Sequence, residues 1–121
     1  MYQKTAGAGN QSNNPWLHEL PDPISRAAWD NYLTVSAKDA LALGILNETQ
    51  SNGALNGSLV TLTVGDKTLA NVPALIQPGQ AQGTVGLAVG YGRTAAGRVA
   101  DGLGVNAYSL NIAQGFAAVS I

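Results

Sequence analysis

The chain has 121 residues, of which 45% are hydrophobic and only 11% are charged. The charged share is less than half of the usual value of about 25%. Six basic and seven acidic side chains give a net charge of -1, so nothing in the charge pattern favours a nucleic-acid partner or insertion into an anionic membrane. The chain has no cysteine, which excludes disulfides, thiolate nucleophiles and iron–sulfur ligands within it.

The N-terminal third is predicted to contain two strands separated by irregular chain. Residues 2–6 (YQKTA) alternate like a short strand, and the Gly/Asn-rich segment 7–15 that follows is typical of a loop. Residues 29–36 (WDNYLTVS) are rich in aromatic and β-branched side chains, which favours a second strand.

Residues 37–43 (AKDALAL) are predicted to form a helix. Ser36 is a good N-cap, and Asp39 supplies the acidic member of an approximate capping box. Gly44 follows as the residue that ends the helix.

The remaining chain reads as strands and turns. Residues 47–57 are predicted to be an exposed loop, and residues 90–104 form a glycine-rich irregular region. Further strands are predicted over residues 58–64, 68–76, 84–90, 105–110 and 116–121, the first two as a hairpin. We therefore expect one mainly β domain over residues 1–121, with six or seven strands and one short helix, most simply a barrel.

No catalytic or metal-binding constellation is predicted. His18, Asp22 and Ser25 are the residue types of a catalytic triad, but their closeness in sequence does not suit the geometry that a triad requires. No nucleophile-elbow pattern surrounds a serine. One histidine and scattered carboxylates do not give the ligand spacing of a metal site. The glycine loops lack the dinucleotide fingerprint, so they either hold a large polar ligand or simply make tight turns.

The segment NNPWLHELPDP, residues 13–23, predicts a different role. Its prolines fix the backbone without using hydrogen bonds, which suits a rigid, irregular strap lying across another surface. We expect Trp16, His18, Pro21 and Pro23 to contact neighbouring protein.

Several blocks together resemble the C-terminal dinucleotide-binding domain of the molybdopterin oxidoreductases, the dimethyl sulfoxide reductase superfamily. These blocks are LTVSAKDALALGI, LVTLTVGDKTLANVPALIQPGQAQGTVGLAVGYG and GVNAYSL. The resemblance implies a double-psi β-barrel. It also implies that Gly7, Gly9, Asn10, Asn14, Tyr91, Arg93 and Asn106 lie on loops that face a molybdopterin guanine dinucleotide in catalytic members.

The block NNPWLHELPDPISRAAWDNYLTVS is similar to a narrower group, the molybdopterin-like half of the iron–sulfur subunit of bacterial alternative complex III. That resemblance implies an architectural domain, excised from a larger subunit, in a quinol to cytochrome c electron-transfer complex. The implied partners are the rest of the iron–sulfur subunit and haem or membrane subunits, on the periplasmic side of a bacterial inner membrane.

The two resemblances differ over the cofactor. The chain has GAGNQSNNPW where active enzymes often carry a threonine-glycine-arginine motif. We therefore expect no cofactor in this domain. The alternative is a domain that grips the dinucleotide of an active molybdenum enzyme.

Overall fold

The computed structural model describes residues 6–110, 112 and 116–121. Residues 2–5 of the first predicted strand lie outside this range. The elements of the described part are helices α1 (Pro15–Glu19) and α2 (Ala37–Leu43), strands β1 (Leu33–Val35), β2 (Asn47–Thr49), β3 (Leu55–Gly57), β4 (Leu59–Val64), β5 (Lys67–Ile76) and β6 (Val85–Leu87), and a 3₁₀ helix (Ala107–Leu110). The prediction of a mainly β chain is confirmed.

Helix α2 forms where its capping residues predict it. The Ser36 side chain accepts a hydrogen bond from the Asp39 backbone N–H at 3.1 Å, and its hydroxyl donates to the Asp39 carboxylate at 2.8 Å. Gly44 ends the helix in the left-handed conformation, at φ 70°. The prediction for residues 37–43 is therefore confirmed in both its bounds and its caps.

Helix α1 was not expected within the proline-rich strap. Asn14 is its N-cap, with Oδ1 accepting from the Trp16 N–H at 3.1 Å, and Pro15 occupies the first turn. Proline is well tolerated there because the first N–H groups of a helix have no partner within the helix. The prediction of wholly irregular chain over residues 13–23 is wrong for Pro15–Glu19.

Four strands form one sheet in the order β4-β5-β1-β6. β1 pairs with β5 in parallel and with β6 in antiparallel orientation, while β4 and β5 form the predicted antiparallel hairpin. The hairpin register shifts between Val60 and Leu62, opposite Asn71, whose φ is +58°. This mixed sheet is open: the described strands do not form a closed barrel.

β2 and β3 form a separate two-stranded sheet. The segment 47–57 was predicted to be a loop, and it is largely exposed, but it is an antiparallel hairpin with Glu48 opposite Asn56. The loop prediction is therefore wrong at both ends and right only for the turn between them.

The C-terminal predictions fail for a local reason. Residues 107–110 form a 3₁₀ helix instead of a strand. The Asn106 side chain accepts from the Tyr108 N–H at 3.1 Å, and the Ser109 hydroxyl donates to the Asn106 carbonyl at 2.7 Å. Such side-chain-to-backbone bonds compete with a strand ladder. Of the strand predicted over residues 116–121, one bridge is present, between Ser120 and Thr63.

The apolar core lies against β1. One cluster consists of Leu33, Leu62, Val72 and Leu110, and the other of Val35, Ala40, Ile45 and Ala74. Because residues two apart on a strand point to the same face, Leu33 and Val35 place both clusters along one face of β1. None of the described helices has the length and apolar character needed to cross a membrane.

Candidate functional site

The candidate site is the loop cluster, which we define as residues 6–14, 88–93 and 97–106. In it the two glycine loops singled out by the sequence pack against each other. A Cβ at position 90 would lie 2.9 Å from the Gly9 nitrogen and 3.0 Å from the Gly7 carbonyl oxygen. Gly9 and Gly90 have φ values of +104° and +98°, so both the close approach and the backbone conformation require glycine there.

Arg93 ties the same loops together. Its Nη1 donates to the Gly9 carbonyl oxygen, and its backbone carbonyl accepts from the Gly102 N–H at 2.9 Å. A guanidinium that could bind a phosphate therefore has at least one of its N–H groups bonded within the chain.

Tyr91 is buried in an aromatic group with His18 and Trp29. The His18 ring stacks on Trp29 with centroids 5.4 Å apart, and it meets Tyr91 edge to face at 5.7 Å. His18 is 1% exposed, its Nε2 lies 2.5 Å from the Ser12 carbonyl oxygen, and its Nδ1 is buried with no partner among the described residues. The structure thus places His18 inside the chain, joining α1 to the loop cluster.

The strap residues that precede and follow His18 are on the surface. Trp16 is 81% exposed, and Pro21 and Pro23 are also exposed; Ile24, directly after the strap, is 72% exposed. Tryptophan combines a large apolar ring with one N–H donor, which suits it to contacts between proteins. Within this chain, the surface available to a partner therefore includes Trp16, Pro21 and Pro23 but not the ring of His18.

Asn10 and Asn14 line a shallow depression of about 400 Å³ beside the loop cluster. The side-chain oxygen of Asn14 accepts the hydrogen bond that caps α1. The Asn106 backbone packs on Gly92 instead, because a Cβ at position 92 would overlap the backbone of Val105 and Asn106. Of the predicted cofactor residues, the structure thus brings Gly9 and Arg93 into contact and places Asn10 and Asn14 along one depression.

Two asparagines that were not predicted as site residues connect the loop cluster. Asn31 is fully buried; its Nδ2 donates to the carbonyls of Ala88 and Val105 at 2.8 and 2.9 Å, and its Oδ1 accepts from the Val105 N–H at 2.8 Å. The Asn13 side chain accepts from the backbone N–H groups of Val99 and Ala100 at 3.0 and 3.3 Å. The only sequence signal for Asn31 was its place on the same strand face as Leu33 and Val35.

A second cavity, of about 520 Å³, lies between the 25–32 segment, the tip of the β2–β3 hairpin and β5. Arg26, Asp30, Tyr32 and Leu55 are among its lining residues. Burial raises the pKa of the Asp30 carboxyl, and the hydrogen bond from the Asn31 N–H opposes that rise.

The His18–Asp22–Ser25 triad does not form. The Asp22 carboxylate accepts from the backbone N–H groups of Ile24 and Ser25, both at 2.9 Å, and the Ser25 hydroxyl is hydrogen-bonded to Asp22 and to Tyr32. His18 instead contacts Ser12. The bonds of Asp22 and Ser25 stabilise a turn.

No group of three or more His, Cys, Asp or Glu side chains that could hold a metal ion occurs within residues 6–110, 112 and 116–121.

Comparison with known proteins gives no family and no relative: neither a scan against family models nor a search of curated proteins finds a match.

Proposed function

We propose that the chain is a structural and interaction domain of a molybdopterin-oxidoreductase-like subunit in a respiratory electron-transfer complex of the quinol to cytochrome c type, and that it holds no molybdenum cofactor. The proposal combines the resemblance of the NPWLHELPDP and barrel blocks with the geometry of the loop cluster. The fold alone does not define an activity.

One observation carries the cofactor part of the proposal. The glycine loops that would cradle a dinucleotide are filled by the chain's own groups: Gly9 packs on Gly90, and Arg93 donates to the Gly9 carbonyl. Phosphate cradles need free backbone N–H groups and an open approach. Here Arg93 and the Gly9 carbonyl hold two loops of one domain together, and the Gly9 N–H is bonded to the Ala6 carbonyl at 2.8 Å, which supports an architectural role.

The exposed strap supports the interaction part. Trp16 and Ile24 expose most of their apolar surface, and Pro21 and Pro23, which lie between them in sequence, are exposed and have fixed φ angles. We propose that this strap packs on the rest of the parent iron–sulfur subunit, with haem or membrane subunits beyond it, on the periplasmic side of the inner membrane.

We also propose that the four-stranded sheet is part of a double-psi β-barrel. The parallel β1–β5 pair requires a crossover connection of the kind such a barrel uses, and the Thr63–Ser120 bridge attaches the C-terminal segment to the free edge of β4. An experimental structure of the chain within its parent subunit tests this, and an open sheet there would exclude the barrel.

The test is elemental and chemical analysis of the intact complex that contains this chain. We expect iron and c-type haem in stoichiometric amounts, no molybdenum or tungsten, and no fluorescent pterin after oxidation. Molybdenum together with pterin, both lost in an Arg93→Ala variant, would instead establish the alternative, a domain that grips the cofactor of an active enzyme.

A separate measurement addresses the partner. Photo-crosslinking from position 16 in the intact complex should label another part of the iron–sulfur subunit or a neighbouring subunit, whereas crosslinking from exposed Asp66, on the β4–β5 turn, serves as the control. A crosslinker at position 16 that reacts only with solvent in the assembled complex would contradict the interface. Protease accessibility in spheroplasts checks the periplasmic location.

A further inference from the structure

The β2–β3 hairpin contains both of the chain's Asn–Gly pairs, Asn52–Gly53 and Asn56–Gly57. Asparagine followed by glycine is the dipeptide in which the next backbone nitrogen most easily reaches the side-chain amide, because glycine adds no Cβ to obstruct it. Both pairs are exposed to water. The structure nevertheless gives them very different surroundings.

Asn52–Gly53 lies in the turn. The Asn52 Oδ1 accepts a hydrogen bond from the Ala54 backbone N–H at 3.0 Å. The turn is closed by bonds from the Gly53 N–H to the Gln50 carbonyl at 2.9 Å and from the Gln50 N–H to the Ala54 carbonyl at 2.8 Å. No heavy atom of the described residues lies within 4 Å of a Cβ position at Gly53, so the turn is not packed against a neighbouring segment at this residue.

We propose that Asn52 is a site of spontaneous deamidation that the chain's own backbone promotes. The bond from the Gly53 N–H to the Gln50 carbonyl opens first; the Gly53 nitrogen then attacks Cγ of Asn52 and loses its proton, and the side-chain amide leaves as ammonia, which forms a succinimide. One water molecule then opens the ring to aspartate or isoaspartate. During the attack the negative charge develops on Oδ1, where the Ala54 N–H already donates, in the manner of an oxyanion hole.

Asn56–Gly57 is held in the ladder of β3. Asn56 lies opposite Glu48 and Gly57 opposite Asn47. A Cβ at Gly57 would come within 2.5 Å of the Ala74 carbonyl oxygen, so the backbone there is packed against β5. Ring closure at Asn56 requires the ladder to open, and a new carboxylate at position 56 would face Glu48 across the strands, where like charges destabilise pairing.

The test measures the two sites against each other in the same full-length chain. The chain is incubated at mildly alkaline pH, with and without concentrated urea, and peptide mapping follows the one-dalton mass gain and isoaspartate at each site. We expect the ratio of the rates at Asn52 and Asn56 to be roughly tenfold higher in the native chain than in urea, the factor that one ordinary hydrogen bond supplies. Equal ratios in the two conditions would overturn the proposal, because the sequence alone would then explain the rates.

An Ala54→Pro variant isolates the proposed donor. Proline removes the N–H that bonds to the Asn52 oxygen, so we expect the native rate at Asn52 to fall about tenfold and the rate in urea to change much less. An unchanged native rate would show that the Ala54 N–H plays no part. A Gly53→Ala variant, which obstructs ring closure in either state, provides the control for assignment of the mass change.

Discussion

The sheet and the loop cluster are held together by different kinds of interaction. β1, β4 and β5 are stabilised by a regular ladder and by two apolar clusters centred on β1. The loop cluster contains little regular structure, and its segments are joined by Arg93, Asn13 and Asn31 through hydrogen bonds to backbone groups. Many exchanges of apolar residues are tolerated in a core of the right volume, whereas a hydrogen bond between particular atoms has few substitutes.

Asn31 shows how the loop cluster is held together. It lies two residues before β1 and is fully buried, and both ends of its amide are bonded to backbone groups of Ala88 and Val105. The polar side chains bonded within the cluster therefore hold its loops to one another.

The largest effect is expected in the sheet. Leu33 has no exposed surface and lies at the centre of one apolar cluster, so Leu33→Ala should lower the free energy of unfolding by about 4 kcal/mol. Urea unfolding followed by circular dichroism measures it. Leu59→Ala, at a position that is mostly exposed, is the matched control and should change stability by less than about 1 kcal/mol. Equal losses in the two variants would mean that β1 is not the centre of the core.

Asn31→Ala should be nearly as costly, although it removes only a small polar group. It leaves the carbonyl of Ala88 and both backbone groups of Val105 without their partner, which should cost about 3 kcal/mol. Amide hydrogen exchange should report faster exchange at Val105 than at β4. The exposed Asn56→Ala variant is the control. A loss as small as the control's would refute the role of Asn31 as a connector.

Gly92→Ala probes the contact between loops by steric means. A Cβ there would overlap the backbone of Val105 and Asn106, whereas a Cβ at Gly79 meets no atom of the described residues within 4 Å. Both glycines have positive φ, so Gly79→Ala should cost about 1 kcal/mol for the backbone conformation alone. Gly92→Ala should cost about 2 kcal/mol beyond that for overpacking. Thermal unfolding of the pair separates the two contributions, and identical melting temperatures would show that the loops do not touch.

The sequence predicted the elements whose signals are local. The Ser36, Asp39 and Gly44 caps define α2, and the strands on either side of Gly65–Asp66 define the β4–β5 hairpin. It predicted too long a strand over residues 29–36, because Trp29 adopts a left-handed conformation with φ +63° and β1 begins only at Leu33. Nothing local indicates that conformation, since tryptophan rarely adopts it.

The candidate site was predictable only as a set of loops. Glycine and asparagine marked the segments that meet, because only such residues fit close backbone approach and turns. The partners of Asn31 are 57 and 74 residues away in sequence. Local sequence patterns do not indicate which distant residues pair. For the same reason His18 was expected at a surface and is found in the interior.

The smallest effect on the free energy of unfolding is expected at Asp30, which lies between the loop cluster and the sheet in sequence. Its carboxyl pKa is raised above the usual 3.8 by burial, so the folded chain binds this proton more readily than the unfolded chain. The stability that protonated Asp30 contributes is therefore present below about pH 3.8 and is lost as the pH rises through the folded pKa. Asp30→Asn should raise the free energy of unfolding at neutral pH by about 0.3 kcal/mol, a figure reduced because the half-buried group is screened by solvent.

The pH dependence of that gain distinguishes burial from a simple change of net charge. The gain should shrink as the pH falls below the folded pKa, since both chains are then neutral at position 30. Asp66→Asn, on the exposed turn between β4 and β5, removes the same charge without the burial and should give no comparable gain at neutral pH. If the two variants behave alike across the pH range, burial of Asp30 beside the second cavity does not cause the gain in stability. The raised pKa of the Asp30 carboxyl would then be wrong.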